Sequence, residues 1–280
     1  HEPDWDYARD VTDKLIAGIV DARSKLEPAR LSVGSTTANA NINRRSRDVN
    51  GRISLGLNPD GPVDRQVGLL RLDRMDGTPL ALIANYAMHG TVLGGKNQLI
   101  SGDAPGTVAA YVEQKLGAPM LYINGATGDI APIYSVYDDF KRVRITEFNV
   151  LLGDRIVAAA RTLRPAKSAV RLKPGEEVLE LPLKPGLQWP AEISAYLTAQ
   201  SRVRLPVRFL RVNSDTALWA APLELFCEIA MAVRAKSPVK NTFYFGYTNG
   251  WLGYLPTAKA FEEGGYETNT TPFTPDAEAA

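Results

Sequence analysis

The chain is 280 residues and 30.5 kDa, 45% hydrophobic and 22% charged, close to the soluble globular average, which excludes disordered, collagen-like and coiled-coil readings. Thirty-two basic side chains against 31 acidic ones leave a formal charge of +1, so no positive surplus marks a nucleic-acid binder. Apolar runs such as residues 79–88 fall well short of the roughly 20 needed to cross a bilayer, and the single cysteine, Cys227, excludes an internal disulfide and a thiolate metal cluster.

In residues 7–26, Val11, Leu15, Ile16, Ile19, Val20 and Leu26 recur at three- and four-residue spacing and predict a helix that Pro28 stops. Residues 29–33 predict a short strand. Residues 35–51, rich in asparagine, arginine and glycine, read as a long surface loop of the kind that usually carries function. Residues 67–72 and 79–88 predict a hairpin around 73–77, and a helical pattern over 107–116 leads into a strand at 120–123. A second long helix is predicted over 143–163. Its exit, Arg164-Pro165-Ala166, echoes Leu26-Glu27-Pro28-Ala29, a hint that one helix-to-strand unit is used twice.

Residues 173–206, rich in proline with a short helix at 191–199, read as an irregular surface insertion. Residues 207–212 and 216–221 predict a second hairpin, Pro222-Leu223-Glu224 opens a helix running to about Lys236, residues 242–247 form a last strand, and the tail from Thr268 reads as frayed. Strands alternating with helices argue for an α/β fold, a mixed sheet with helices packed on it, in one layered domain over residues 1–280.

Chemistry is expected at strand ends, where open α/β sheets bind ligands. His89 directly follows the strand 81–88, and residues 124–132, Glu224 and residues 249–254 follow three others, so these ends are predicted to converge. The turn Asn124-Gly125-Ala126-Thr127-Gly128-Asp129 is small enough for its backbone amides to approach a ligand as an oxyanion hole. Plainer readings exist for each residue. A lone histidine at a strand end is often a structural group, Glu224 suits a helix dipole, Tyr254 suits half-exposed packing, and Asn124 to Asp129 suits an ordinary turn.

Taken together the segments resemble the catalytic domain of the neutral, non-lysosomal ceramidase family. The matching blocks are His1-Glu2-Pro3-Asp4, Ile42-Asn43-Arg44, Asn85-Tyr86-Ala87-Met88-His89 with Ser101-Gly102-Asp103-Ala104-Pro105-Gly106, residues 124–132, Pro222-Leu223-Glu224, and Gly253-Tyr254-Leu255-Pro256-Thr257 followed by Tyr266-Glu267. The resemblance implies a zinc ion held by two histidines, a glutamate and a tyrosine, and hydrolysis of an N-acyl amide. Carried over, His89, Glu224 and Tyr254 are metal ligands, and Arg44, Asp129 and His1 belong to the catalytic set. Asn124, Gly128 and Tyr266 line the substrate pocket, and Asp103 orients His89 or its loop.

His1 best matches the second histidine of the family's His-x-His pair. The first ligand would then precede residue 1, leaving His1 to contact substrate; a shifted alignment makes His1 itself the ligand. The turn Gly128-Asp129-Ile130-Ala131-Pro132 carries Ala131 where the family has serine, and no base stands beside Thr127, the nearest hydroxyl. The chain starts at His1 without an initiator methionine and stops soon after the tyrosine block. A processed, compact, bacterial-type member is expected, with part of the N-terminal region missing.

The expected function is that of a zinc-dependent hydrolase cleaving an amide bond of an N-acylated lipid or amine. Zn2+ would lower the pKa of bound water from 15.7 to about 7. An esterase on the same zinc, or a non-catalytic binding protein on the same scaffold, are the alternatives. A small-molecule or lipid substrate, no nucleic acid, no transmembrane segment and a secreted or periplasmic setting are expected.

Overall fold

The computed structural model describes residues 4–95, 97–135, 144–165, 169–187, 191–198, 200 and 202–280. His1 lies outside the described residues. The chain opens with α1 (Trp5–Ser24), capped by Asp4, whose carboxylate accepts from the Tyr7 amide. It continues through β1 (Ala29–Thr37), β2 (Asn41–Arg47), β3 (Ile53–Asn58), β4 (Gln66–Arg74), β5 (Pro79–Tyr86), α2 (Asp103–Leu116), β6 (Met120–Asn124) and β7 (Ile130–Pro132). A 3-10 turn at Ile145–Glu147 and a π-helical turn at Asn149–Gly153 lead into α3 (Asp154–Thr162). Then follow β8 (Leu172–Pro182), β9 (Arg202–Val212), β10 (Thr216–Ala220), β11 (Glu224–Leu225), α4 (Cys227–Lys236), β12 (Asn241–Phe245), β13 (Tyr254–Leu255), α5 (Ala258–Glu263) and α6 (Tyr266–Thr270). Among the described residues no helix is long and apolar enough to cross a membrane.

Two four-stranded sheets carry the fold, ordered β1-β4-β5-β6 and β8-β9-β10-β12. The two have the same plan. In each, the first three strands are antiparallel neighbours, and the third is joined through a helix, α2 or α4, to a fourth strand parallel to it. The helix-to-strand echo read from Leu26 to Ala29 therefore belongs to a larger duplication. Counting back from the matching Leu-x-Pro exits, Val11, Leu15, Ile19 and Val20 correspond to Phe148, Leu152, Ile156 and Val157. The second set is buried in the core of the first sheet with Leu69, Leu82, Val108 and Val112, while Leu15, Ile19 and Val20 are exposed.

Several stretches differ from their sequence reading. The presumed loop at 35–51 holds β2, in which Asn41, Asn43, Arg44 and Arg45 are buried. Sequence polarity misleads here because these side chains satisfy one another and nearby carbonyls: Asn41 donates to the Asp64 and Ala87 carbonyls, and Asn43 to Pro62 and Asp129. The presumed insertion at 173–206 begins in β8 and ends in β9, which pair antiparallel from Leu172↔Val212 to Pro182↔Arg202. Its prolines fit because β8 is an edge strand and Pro206 lies beyond the part of β9 that pairs with β10. The tail is anchored rather than frayed: Phe273 is fully buried and bridges to Leu183.

The two sheets meet where β12 crosses the face of the first. The Asn85 side-chain amide donates to the Tyr244 carbonyl at 2.8 Å, and Phe243 sits on Gly68. A Cβ at Gly68 would come within 2.5 Å of the Phe243 ring. Gly68→Ala is therefore expected to destabilise the protein by about 1–3 kcal/mol, the usual effect of overpacking. A urea midpoint equal to wild type would show that the sheets separate without cost.

Candidate active site

Strand ends bring the chemistry together. β5 and β6 run parallel and in register, so the exits leading to His89 and to residues 124–129 lie side by side. β10 and β12 do the same for Glu224 and the turn Gly246-Tyr247-Thr248. Glu224 was expected to open a helix, but α4 begins at Cys227. Glu224 lies instead on β11, directly paired with Tyr254 on the parallel strand β13, which sets the two side chains next to each other.

The cluster is tight. His89 Nδ1 lies 2.8 Å from the Ile130 carbonyl oxygen, which only accepts, so Nδ1 carries a proton and Nε2 is the ring nitrogen that faces the cluster. That Nε2 is 3.0 Å from Glu224 Oε2 and 3.2 Å from Tyr247 Oη, which is itself 3.0 Å from Glu224 Oε2. Trp251 Nε1 donates to Glu224 Oε1 at 2.7 Å, and Tyr254 hydrogen-bonds with both Glu224 and Arg44. Burial pushes the Glu224 carboxyl up, but hydrogen bonds from His89, Trp251 and Tyr254 outweigh it and hold it below its ordinary range. Burial raises the phenols of Tyr254 and Tyr247, against the Arg44 contact in the first and the Thr127 hydroxyl in the second. Among the described residues no three of His, Cys, Asp and Glu converge; the cluster's other oxygens are phenolic.

Arg44 enters from β2. Its Nε donates to Glu267 at 2.8 Å, and Arg45 reaches the other oxygen of the same buried carboxylate at 2.9 Å. Arg44 lies 5.6 Å over the Tyr254 ring and 5.9 Å over that of Tyr266, whose exposed phenol ring stacks edge-on against Tyr254. Burial works against the Arg44 charge, yet Glu267 and Tyr254 hold its pKa above the ordinary value. Its Nη2 is buried with no protein partner. Arg44 also lines a cleft of about 470 Å³ together with Leu55, Gly90, Thr91, Leu93 and Ala131, which opens beside His89. A smaller cavity of about 160 Å³ behind β2 is lined by Arg45, Asp129 and Glu263, and by none of His89, Glu224 and Tyr254.

Other expected residues play supporting parts. Asp129 is fully buried: one oxygen accepts from the Cys227 amide at the start of α4, the other from Asn43. Gly128 is a spacer, since a Cβ there would meet the Glu224 carbonyl at 2.6 Å. Of the amides expected to form an oxyanion hole in this turn, those of Gly125 and Gly128 already donate to the carbonyls of Tyr86 and Leu225. Asn124 Oδ1 is buried without a partner. Asp103 holds the loop after His89 through the Val92 and Leu93 amides rather than touching the imidazole.

Sequence reading missed Tyr247, Trp251 and the anchoring role of Glu267. A signal for Tyr247 exists: Gly246-Tyr247-Thr248 after β12 repeats Gly125-Ala126-Thr127 after β6, and both glycine amides bond to carbonyls of neighbouring strand ends.

Residues 5–131 match the family model described as neutral/alkaline non-lysosomal ceramidase, N-terminal. Neutral ceramidase A of Dictyostelium discoideum is 33% identical over 108 residues, 38% of this chain and 15% of that protein. Neutral ceramidase B of the same organism is 30% identical over 112 residues, 39% and 16%. The crystal structure of neutral ceramidase from Pseudomonas aeruginosa superposes with a TM-score of 0.68 at 20% identity, over 95% of this chain and 52% of that one. A ceramidase complexed with C2 gives 0.66 at 18% identity, over 92% and 52%. The chain thus spans a small part of the curated relatives and about half of the solved ones. The resemblance to neutral ceramidases is confirmed, by sequence over residues 5–131 and by fold over nearly the whole chain.

Two outcomes test the supporting contacts. Glu267→Gln strips the counter-charge from two buried arginines and is expected to cost about 3–5 kcal/mol, read as a fall in the denaturant midpoint; a change under about 1 kcal/mol contradicts the anchoring role. Burial pushes Asp129 up to about 6 from 3.8. Between those values the native state binds more protons than the unfolded chain, so stability falls as pH rises from about 4 to about 6, by at most about 1.4 kcal/mol per pH unit. Asp129→Asn is expected to flatten the stability curve in that window, and an unchanged slope contradicts the assignment.

Proposed function

We propose that the chain is a metal-dependent hydrolase of N-acyl amides of the ceramide type, with His89, Glu224 and Tyr254 holding a zinc ion. The observation that carries this is the meeting, at 3.0 Å, of the inward-facing imidazole nitrogen of His89 and the Glu224 carboxylate, with the Tyr254 phenol hydrogen-bonded to the same carboxylate. The donor chemistry fits zinc, which takes imidazole nitrogen and carboxylate oxygen readily and phenolate oxygen once the proton is lost. The carbonyl behind His89 Nδ1 is the usual outer partner of a metal-binding imidazole. When bound, the ion supplies a Lewis acid for the acyl carbonyl and lowers the proton affinity of water beside it.

The chain's own residues do the rest. The unpartnered Arg44 Nη2 offers a charged donor to the acyl oxygen as negative charge builds there, already held in place by Glu267. Trp251 fixes the Glu224 carboxylate in orientation. Tyr266, on the exposed rim above Tyr254, and the cleft beside Gly90 and Leu93 receive the apolar part of the substrate.

Metal analysis and a panel of N-acyl amides test this reading. One zinc per chain with amide turnover is expected, and His89→Ala should lose both while keeping the fold; full zinc and full turnover in that variant would remove His89 from the site.

A further inference from the structure

The donor atoms around His89 have a corner that the carried-over ligand set leaves unused. We infer that Tyr247 is a metal donor of this site, beside His89, Glu224 and Tyr254; the inference rests on the zinc reading above.

His89 Nε2, Glu224 Oε2 and Tyr247 Oη form a triangle with sides of 3.0, 3.0 and 3.2 Å. Zinc bonds of about 2.0–2.2 Å in tetrahedral arrangement place neighbouring donors about 3.3 Å apart. The three atoms, joined by hydrogen bonds in the metal-free arrangement, therefore already stand close to one face of such a site.

The backbone points the same way. Tyr247 has φ of 57°, a left-handed conformation that bulky side chains rarely adopt and that persists where surrounding contacts impose it. Those contacts are present: the Tyr247 amide donates to Leu223 and the preceding Gly246 amide to Asn124. In the equivalent turn after β6 the matching position is Ala126, a small apolar residue buried in the second core. The phenol at 247 is thus an addition to the duplicated turn, and among the described residues its oxygen hydrogen-bonds with Thr127, His89 and Glu224. The Thr127 hydroxyl, 3.0 Å away, can donate to that oxygen and orient it, as outer partners of metal ligands do. Coordination releases the phenol proton to solvent.

The test uses metal-stripped protein loaded with ferric ion, whose phenolate complexes absorb in the visible, and with zinc by equilibrium dialysis. Wild type is expected to show the phenolate-to-iron band. Tyr247→Phe is expected to lose part of the band and bind zinc roughly tenfold or more weakly, and Tyr247→Phe combined with Tyr254→Phe to lose the band entirely. Tyr247→His, which supplies another donor at a position where histidine tolerates the backbone, is expected to keep zinc affinity near wild type while losing the same share of the band. Near-ultraviolet circular dichroism checks that each variant is folded. A folded Tyr247→Phe protein with the wild-type band overturns the inference even if its zinc affinity falls, because Tyr247 would then only position Glu224 or His89. Wild-type protein that binds neither ion overturns the zinc reading and this inference with it, so the two failures are told apart.

Discussion

The His89 imidazole and the Glu224 carboxylate face each other at 3.0 Å, and most of the surrounding structure serves to keep them there. The Ile130 carbonyl dictates which nitrogen of His89 turns inward. Trp251 and the β11–β13 pairing prevent Glu224 from swinging away. The phenols of Tyr247 and Tyr254 and the Arg44 guanidinium gather around that contact.

The second constraint is the buried Glu267 between Arg44 and Arg45. Removing three charges from water is costly, so the arrangement is better understood as a means of placing Arg44 than as a source of stability. The outcome is a guanidinium with one nitrogen still uncommitted, next to Tyr254 and at the mouth of a cleft.

Much of the frame was legible in the residues. The apolar runs of β4, β5 and β10 and the three-and-four spacing of α1 placed those elements within a few residues, although none of the residues of α1 is buried. His89, Glu224 and Tyr254 were legible because they follow strands and because the resemblance named them. What could not be seen follows from one cause: β2 is buried by polar pairing with residues up to 223 positions away, and such pairing leaves no local period. Arg44 was accordingly placed in a loop, and Glu267 had no assigned part. Asp129, prominent in its turn, proved to join β2 to α4. Tyr247 was hidden for a different reason, since only comparison of the two halves marks its turn as unusual.

The duplication has a mechanical corollary. His89 leaves the third strand of one sheet and Glu224 the third strand of the other, so each half contributes a single pole and neither is complete alone. The separation of those poles is governed by how the halves sit against one another, and that seating depends on a ring resting where one strand has no side chain. Gly68 on β4, by leaving room for the Phe243 ring, is thereby one of the contacts through which the two halves meet.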